Sequence, residues 1–158
     1  MDDHLLLVTE PGKEEETIIR MARVGYENVT GFLEGGFEAW KNASREYDMV
    51  ISIDADEFKL DYDHDNITVV DVRKESEYEA GHVDGALNVV LQDFNTQVHK
   101  LDNLDDDLYL HCQGGYRSMI AASLLKRKGF NSLRNVYGGW QAISKTDVPV
   151  ELPKFSVS

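Results

Sequence analysis

The sequence predicts an α/β fold, an open parallel sheet flanked by helices, preceded by a partial second unit of the same plan. Three observations predict it. Short apolar segments rich in β-branched residues alternate with segments of helical period, as in a parallel sheet covered on both faces. Residues 5–40 and 108–143 repeat one order of elements. The single cysteine, Cys112, stands where an apolar strand ends and a glycine-containing loop leads into a helix.

The first copy begins with the strand-like run Leu5-Leu6-Leu7-Val8 and continues through a helix at 14–23. Gly25-Tyr26, a strand near Val29 and Gly35-Gly36-Phe37-Glu38-Ala39, opening a short helix, complete it. The second copy answers with a strand at 108–111, a helix at 118–128, Gly129-Phe130, a strand near Leu133 and Gly138-Gly139-Trp140-Gln141-Ala142. In its long helix Ile120, Ala121, Leu124 and Leu125 fall at helical spacing and predict a buried stripe. Gly129, after three cations, is a C-terminal stop.

Only the second copy has a front half. Residues 67–72 form an apolar run that predicts a buried parallel strand. A short helix at 76–80, a short strand at 86–90, a helix at 94–99 and an acidic loop at 102–107 follow. Residues 1–46 therefore read as the back half of one domain and 48–148 as a complete one. Residues 149–158, with Pro149 and Pro153, read as an extended tail. About 45 residues seldom bury enough surface to fold alone. The half-unit is thus expected to be a fragment of a longer protein with an upstream domain, or to borrow a neighbour's surface, its open strand edge suiting a homodimer.

Composition narrows the function classes. With 158 residues and 42% hydrophobic content the chain can hold one good core and a small appendage. A net charge of -13 repels phosphate backbones and anionic lipid, so neither nucleic acid nor membrane is an expected partner. No apolar run approaches the roughly 18 residues of a membrane span, and the N-terminus lacks the basic region of a secretory leader; the expected location is the cytoplasm. Acid is concentrated at 54–79, whereas 112–134 carries Arg117, Lys126, Arg127, Lys128 and Arg134 without any acid. That island suits a small anion or a docking face; a solvated helix surface with cations at its C-terminus explains Lys126–Lys128 equally well. One cysteine excludes an internal disulfide, and the histidines at 4, 64, 82, 99 and 111 show no ligand spacing. No metal and no cofactor are expected in this chain.

A lone cysteine is more often a small buried hydrophobe than a nucleophile, so its setting decides. In Leu110-His111-Cys112-Gln113-Gly114-Gly115-Tyr116-Arg117-Ser118 a strand delivers Cys112 to the carboxyl edge of the sheet, where open α/β folds bind ligands. Amides of 113–118 can curl inward as a nest at a helix N-terminus, with Gly114 and Gly115 permitting the turn. An ordinary thiol, with a pKa near 8.5, is only about 3% thiolate at pH 7. Lowering it by about two units takes roughly 2.7 kcal/mol, which several amides and Arg117 could supply.

At this point the chain resembles the rhodanese sulfurtransferases. Cys112-Gln113-Gly114-Gly115-Tyr116-Arg117 matches that family's C-x-x-G-x-R loop, and Val70-Asp71-Val72-Arg73 its D-x-R strand end. Gly81-His82-Val83-Asp84-Gly85-Ala86-Leu87-Asn88 is similar to its G-H-I-x-G-A-x-N motif, and Tyr137-Gly138-Gly139-Trp140 to its terminal G-G-W. Four motifs in the family's order span 70–140. The resemblance implies that Cys112 takes sulfur from thiosulfate or a persulfide, becomes a persulfide, and passes sulfur to cyanide, a thiol or a protein. Arg117 would then bind the anionic donor or support the loop. Amides of 113–117 would hold the persulfide, with Gln113, Gly114, Gly115 and Tyr116 lining it. Asp71 and Arg73 would brace the loop, Arg73 with a further option of touching donor. His82 and Ser118 would be structural, as would His111, whose side chain alternates to the other face of the strand.

Rivals differ at specific residues. Phosphatases of similar architecture use a C-x5-R loop, whereas four residues separate Cys112 from Arg117, a tighter ring that favours a single sulfur. The first copy has Val8-Thr9-Glu10-Pro11-Gly12-Lys13-Glu14 at the loop position, without a cysteine, with acids that repel anions and with a proline that removes a donor. Inactive-then-active pairs occur in two-domain sulfurtransferases and at the C-terminus of metallo-β-lactamase-fold fusions, which is the preferred parent here; any metal would then sit in an upstream domain. The alternative from another class is a rhodanese-fold binding or sulfur-relay module serving such a fused enzyme.

Overall fold

A computed structural model describes residues 4–102, 104 and 107–153. The chain divides into two units, Met1–Met49 and Val50–Ser158. Residues 149–153, read from the sequence as an extended tail, fall within the second.

The first unit runs β1 (Leu5–Leu7), α1 (Glu14–Arg23), β2 (Val29–Phe32) and α2 (Gly36–Asn42). Its two strands pair in parallel. Leu7 and Gly36 are its buried residues among those described, whereas Leu6, Val24, Phe37 and Trp40 remain exposed. Two strands present too little apolar surface to close a core.

The second unit contains β3 (Ile51–Ile53), α3 (Ala55–His64), β4 (Ile67–Asp71), α4 (Glu75–Glu79), β5 (His82–Val83), β6 (Leu87–Asn88) and α5 (Phe94–Gln97). It continues with β7 (Asp107–His111), α6 (Tyr116–Arg127), β8 (Leu133–Val136), α7 (Gly139–Ile143) and β9 (Val150–Glu151). Five strands form one parallel sheet in the order β3-β8-β7-β4-β6. Strand alternation sends Val70, Leu108, Leu110 and Leu133 to one face, against Ala121, Ala122 and Leu125 of α6 and Phe94 of α5. Val69, Tyr109, Ile53 and Val136 point to the other, against Phe58 of α3 and Ile143 of α7. The Tyr109 hydroxyl donates to Asp61 at 2.7 Å and ties α3 to the central strand.

Several boundaries differ from the sequence expectations for physical reasons. The long helix starts at Tyr116 rather than Ser118, because Gly115 at φ 98° already turns the chain into its first residue. Ala122 replaces Ile120 in its buried stripe; Ile120 is 41% exposed. The helix expected at 94–99 tightens after Gln97 into a 3-10 turn over Val98–Leu101. β3 and α3 were not foreseen; Asp54 starts α3 by accepting from the amides of Asp56 and Glu57 at 3.0 and 2.8 Å. The two-residue strands β5 and β9 pair antiparallel, His82 with Glu151 and Val83 with Val150. The acidic loop expected at 102–107 includes 103, 105 and 106, which lie outside the described residues, as does the tail after 153.

Candidate active site

Cys112 is the first residue beyond β7, the strand between β4 and β8. As a residue it is only 1% exposed and borders the apolar cluster under α6. Its sulfur nevertheless faces main-chain donors. The Gly115 amide donates to Sγ at 3.1 Å, and the Ser118 hydroxyl lies 3.7 Å away. Burial pushes the thiol pKa up, but the amide and hydroxyl of Ser118 and the amides of Gly114 and Gly115 outweigh it, and the net shift is downward. Ser118 also donates to the Gly115 carbonyl at 3.0 Å, which fixes the curl of the loop.

The floor under the loop comes from α7. The Trp140 amide donates to the Cys112 carbonyl at 2.7 Å and the Gln141 amide to the Gln113 carbonyl at 3.2 Å. Gly139, at φ 53°, lies so close that a Cβ there would collide with the Cys112 carbonyl. The first unit reproduces this contact: a Cβ at Gly36 would collide with the carbonyl of Thr9. Thr9 is thus the positional counterpart of Cys112.

Arg73 is 2% exposed, and its guanidinium grips Asp71 through Nε at 3.0 and 2.9 Å and through Nη2 at 2.6 Å. Nη2 also donates to the Gly81 carbonyl at 2.8 Å, and the guanidinium lies 4.7 Å from the centre of the Trp140 ring. Nη1 lies 3.5 Å from Gln113 Oε1. The guanidinium is thus enclosed by Asp71, the Gly81 carbonyl and the Trp140 ring. Asn88 locks the same strand end by donating to the carbonyls of Asp71 and Arg73 at 2.9 and 3.0 Å.

Arg117 meets a partner that reading the sequence missed. Its Nη1 and Nη2 donate to the two carboxylate oxygens of Glu77 at 2.7 and 2.8 Å, a bidentate pair joining α6 to α4. Arg117 holds the Glu77 carboxyl down at about 2. The guanidinium is held charged by Glu77 first and, less strongly, by the Cys112 sulfur. Glu77 also accepts from the Lys74 amide at 3.2 Å, so the same carboxylate caps α4. A partner forty residues away was not readable from the sequence.

The other expected residues are distributed around the loop. Gln113 and Arg117 are half-buried, Gly114 is exposed, Gly115 and Ser118 are buried, and Tyr116 is 80% exposed. His82 donates through Nδ1 to the Tyr78 carbonyl at 2.8 Å and stacks on the Tyr78 ring at 3.6 Å, away from the sulfur's donors. His111 stacks on Trp140 at 6.4 Å on the opposite face of the strand, and burial holds it below its ordinary pKa, partly offset by Asp71. Lys126 and Arg127 end α6, about 18 Å from its start, so the cluster they form with Lys128 is remote from the sulfur. Among the described residues no group of three or more His, Cys, Asp or Glu is placed to hold a metal ion. No helix among them is long and apolar enough to cross a membrane.

The family model for the rhodanese-like domain matches residues 54–146. The chain belongs to the rhodanese-like family. A relative of this domain is YrkF of Bacillus subtilis, provisionally named a sulfur carrier protein, 34% identical over 106 residues that cover 67% of this chain and 55% of YrkF. The chain therefore spans about half the length of that relative. Among solved structures, the rhodanese-like domain of the Anabaena protein Alr3790 superimposes with a TM-score of 0.59 at 27% identity, over 70% of this chain and 85% of that one. A Pseudomonas aeruginosa thiosulfate sulfurtransferase covers 97% of this chain with 33% of its own, at 20% identity and a TM-score of 0.58, a likeness of fold alone.

Proposed function

We propose that the rhodanese-like domain is a sulfurtransferase in which Cys112 carries sulfane sulfur as a persulfide. One observation supports this above the rest: the Cys112 sulfur, although buried, faces the Gly115 amide and the Ser118 hydroxyl at the start of α6. A thiolate so placed attacks the outer sulfur of a sulfane donor. The resulting persulfide anion is stabilised by the same amides, and a thiol, cyanide or protein acceptor removes the sulfur in turn. Arg117 and Glu77 hold the loop against α4, and Asp71 and Arg73 hold the strand end. The name of YrkF supports a carrier role, in which the sulfur passes to a protein partner. In the same reading the cysteine-free first unit serves structure or docking, and the parent is a fusion in which tandem rhodanese-like units follow a metallo-β-lactamase-fold enzyme.

Intact mass after incubation with a sulfane donor tests the proposal. A gain of one sulfur atom, absent from Cys112→Ser, is the expected result. No gain from thiosulfate or from any persulfide would overturn it in favour of a binding module.

A further inference from the structure

The two arginines next to the Cys112 loop are already paired with carboxylates. Arg73 is enclosed by Asp71. Arg117 is held bidentately by Glu77. The loop residues Gln113, Gly114, Gly115 and Tyr116 bring no charge. Lys74, at the start of α4, and Lys100 share a polar groove with Glu75 and Asp93, two cations against two acids. The whole chain carries -13. Attack of a thiolate on thiosulfate brings three negative charges together, and Arg117, the guanidinium that reaches the Cys112 sulfur, meets them with its charge offset by Glu77. An organic persulfide carries at most one negative charge at its sulfur, so attack on it brings fewer charges together. Two exposed aromatic rings stand beside the loop. Tyr116 follows Gly115 and Tyr137 precedes Gly138, at the place where a Cβ on Gly115 would lie 3.5 Å from the Gly138 amide nitrogen. The two tyrosines are 80% and 73% exposed. They offer aromatic surface to an organic group and no positive charge to a sulfonate.

We propose that Cys112 takes sulfur from an organic persulfide in preference to thiosulfate, and that Glu77 sets the preference by neutralising Arg117. This rests on the sulfurtransferase reading above. In the step, the Cys112 thiolate attacks the outer sulfur of R–S–SH. The Sγ–S bond forms and the donor S–S bond breaks. The bonding pair leaves with R–S⁻, and the proton on the transferred sulfur then passes to R–S⁻ or solvent to leave the persulfide anion, so no outside oxidant or reductant is needed. Glu77 is a positioning residue: it touches neither sulfur nor donor and acts by holding the Arg117 guanidinium.

The test compares loading of Cys112 from N-acetylcysteamine persulfide, whose organic group is uncharged, with loading from thiosulfate, by rapid-quench intact mass on the full chain. The persulfide should show the higher kcat/KM by at least about tenfold. One guanidinium charge about 6 Å from a dianion is worth about tenfold even at water's dielectric constant. Glu77→Gln should therefore shift the thiosulfate-to-persulfide ratio of kcat/KM upward by about tenfold, chiefly through a lower KM for thiosulfate. A merely structural role would slow both donors together. Salt supplies a check that needs no variant: thiosulfate loading of the unaltered chain should rise with ionic strength as the repulsion is screened. Equal use of both donors, an unmoved ratio in Glu77→Gln, or thiosulfate loading that falls with salt would overturn the preference while leaving the sulfurtransferase standing. Loading from neither donor would overturn the sulfurtransferase itself.

Discussion

Replacing Ser118 by alanine separates the two tasks of its hydroxyl. The group donates to the Gly115 carbonyl at 3.0 Å and lies 3.7 Å from the Cys112 sulfur. Loss of a neutral bond of the first kind costs about 1 kcal/mol of stability. The single O–H proton serves the sulfur only when it turns from the Gly115 carbonyl; a bond to a charged group is worth about 1.5 to 3 kcal/mol, and sharing and separation place this one at the low end. About 1.5 kcal/mol corresponds to about tenfold less thiolate at a fixed pH below the titration midpoint. The assay is the pH dependence of iodoacetamide alkylation under native conditions, beside urea unfolding. Alkylation of Ser118→Ala should follow a profile displaced to higher pH, with the limiting rate at alkaline pH little changed. The thiol is more acidic folded than unfolded. Its ionisation therefore stabilises the fold fully above the unfolded value near 8.5, and the increment is lost as pH falls through the folded value. In Ser118→Ala that alkaline increment should shrink. An unmoved alkylation profile together with lower stability would refute the reasoning and assign the hydroxyl to the Gly115 carbonyl alone.

Three further outcomes are expected. Glu77 titrates near 2 when folded, below its ordinary 4.5. The stabilisation it contributes is therefore complete above about 4.5 and disappears as pH falls through about 2. After allowance for solvent screening it should be about 1 to 2 kcal/mol, read as a urea-stability gap between the unaltered chain and Glu77→Gln that closes on acidification. Gly139→Ala should lose about 3 kcal/mol in urea unfolding, since it places a side chain at φ 53° and against the Cys112 carbonyl; a loss under about 1 kcal/mol would show that α7 shifts freely. Asp71→Asn should lose about 3 to 5 kcal/mol in guanidinium unfolding, because it leaves the Arg73 guanidinium buried without its counter-charge; a near-neutral effect would mean that Gly81 and Gln113 suffice.

What could be read from the residues was whatever local chemistry announces. β4 and β7 stand out as apolar runs because each is covered on both faces. The turn after Cys112 stands out because glycines, a strand end and a helix start coincide within seven residues. The repeat exposed the order of strands and helices in both units. α3 was not legible, because its strongly charged sequence hid the single deeply buried residue, Phe58. β5 and β9 were not legible, since two residues carry no periodicity and their pairing joins positions far apart. The Arg117–Glu77 pair was hidden for the same reason. Neither residue announces the other locally, and only the packing of α4 beside α6 brings them together. The helix start was misplaced by two residues because Gly115 was assigned to the loop, whereas its left-handed backbone is what allows the helix to begin immediately after it.

The glycine that opens α7 and the one that opens α2 each sit under a carbonyl, one belonging to Cys112 and the other to Thr9. A side chain is forbidden at both places by the nearness of the main chain, whether or not a sulfur stands above it. The glycine pair with its following aromatic residue is therefore a signature of architecture and survives in a unit that has no nucleophile. Searches for active members of such a lineage should weigh the residue on top of that carbonyl and give the doublet beneath it no vote on chemistry.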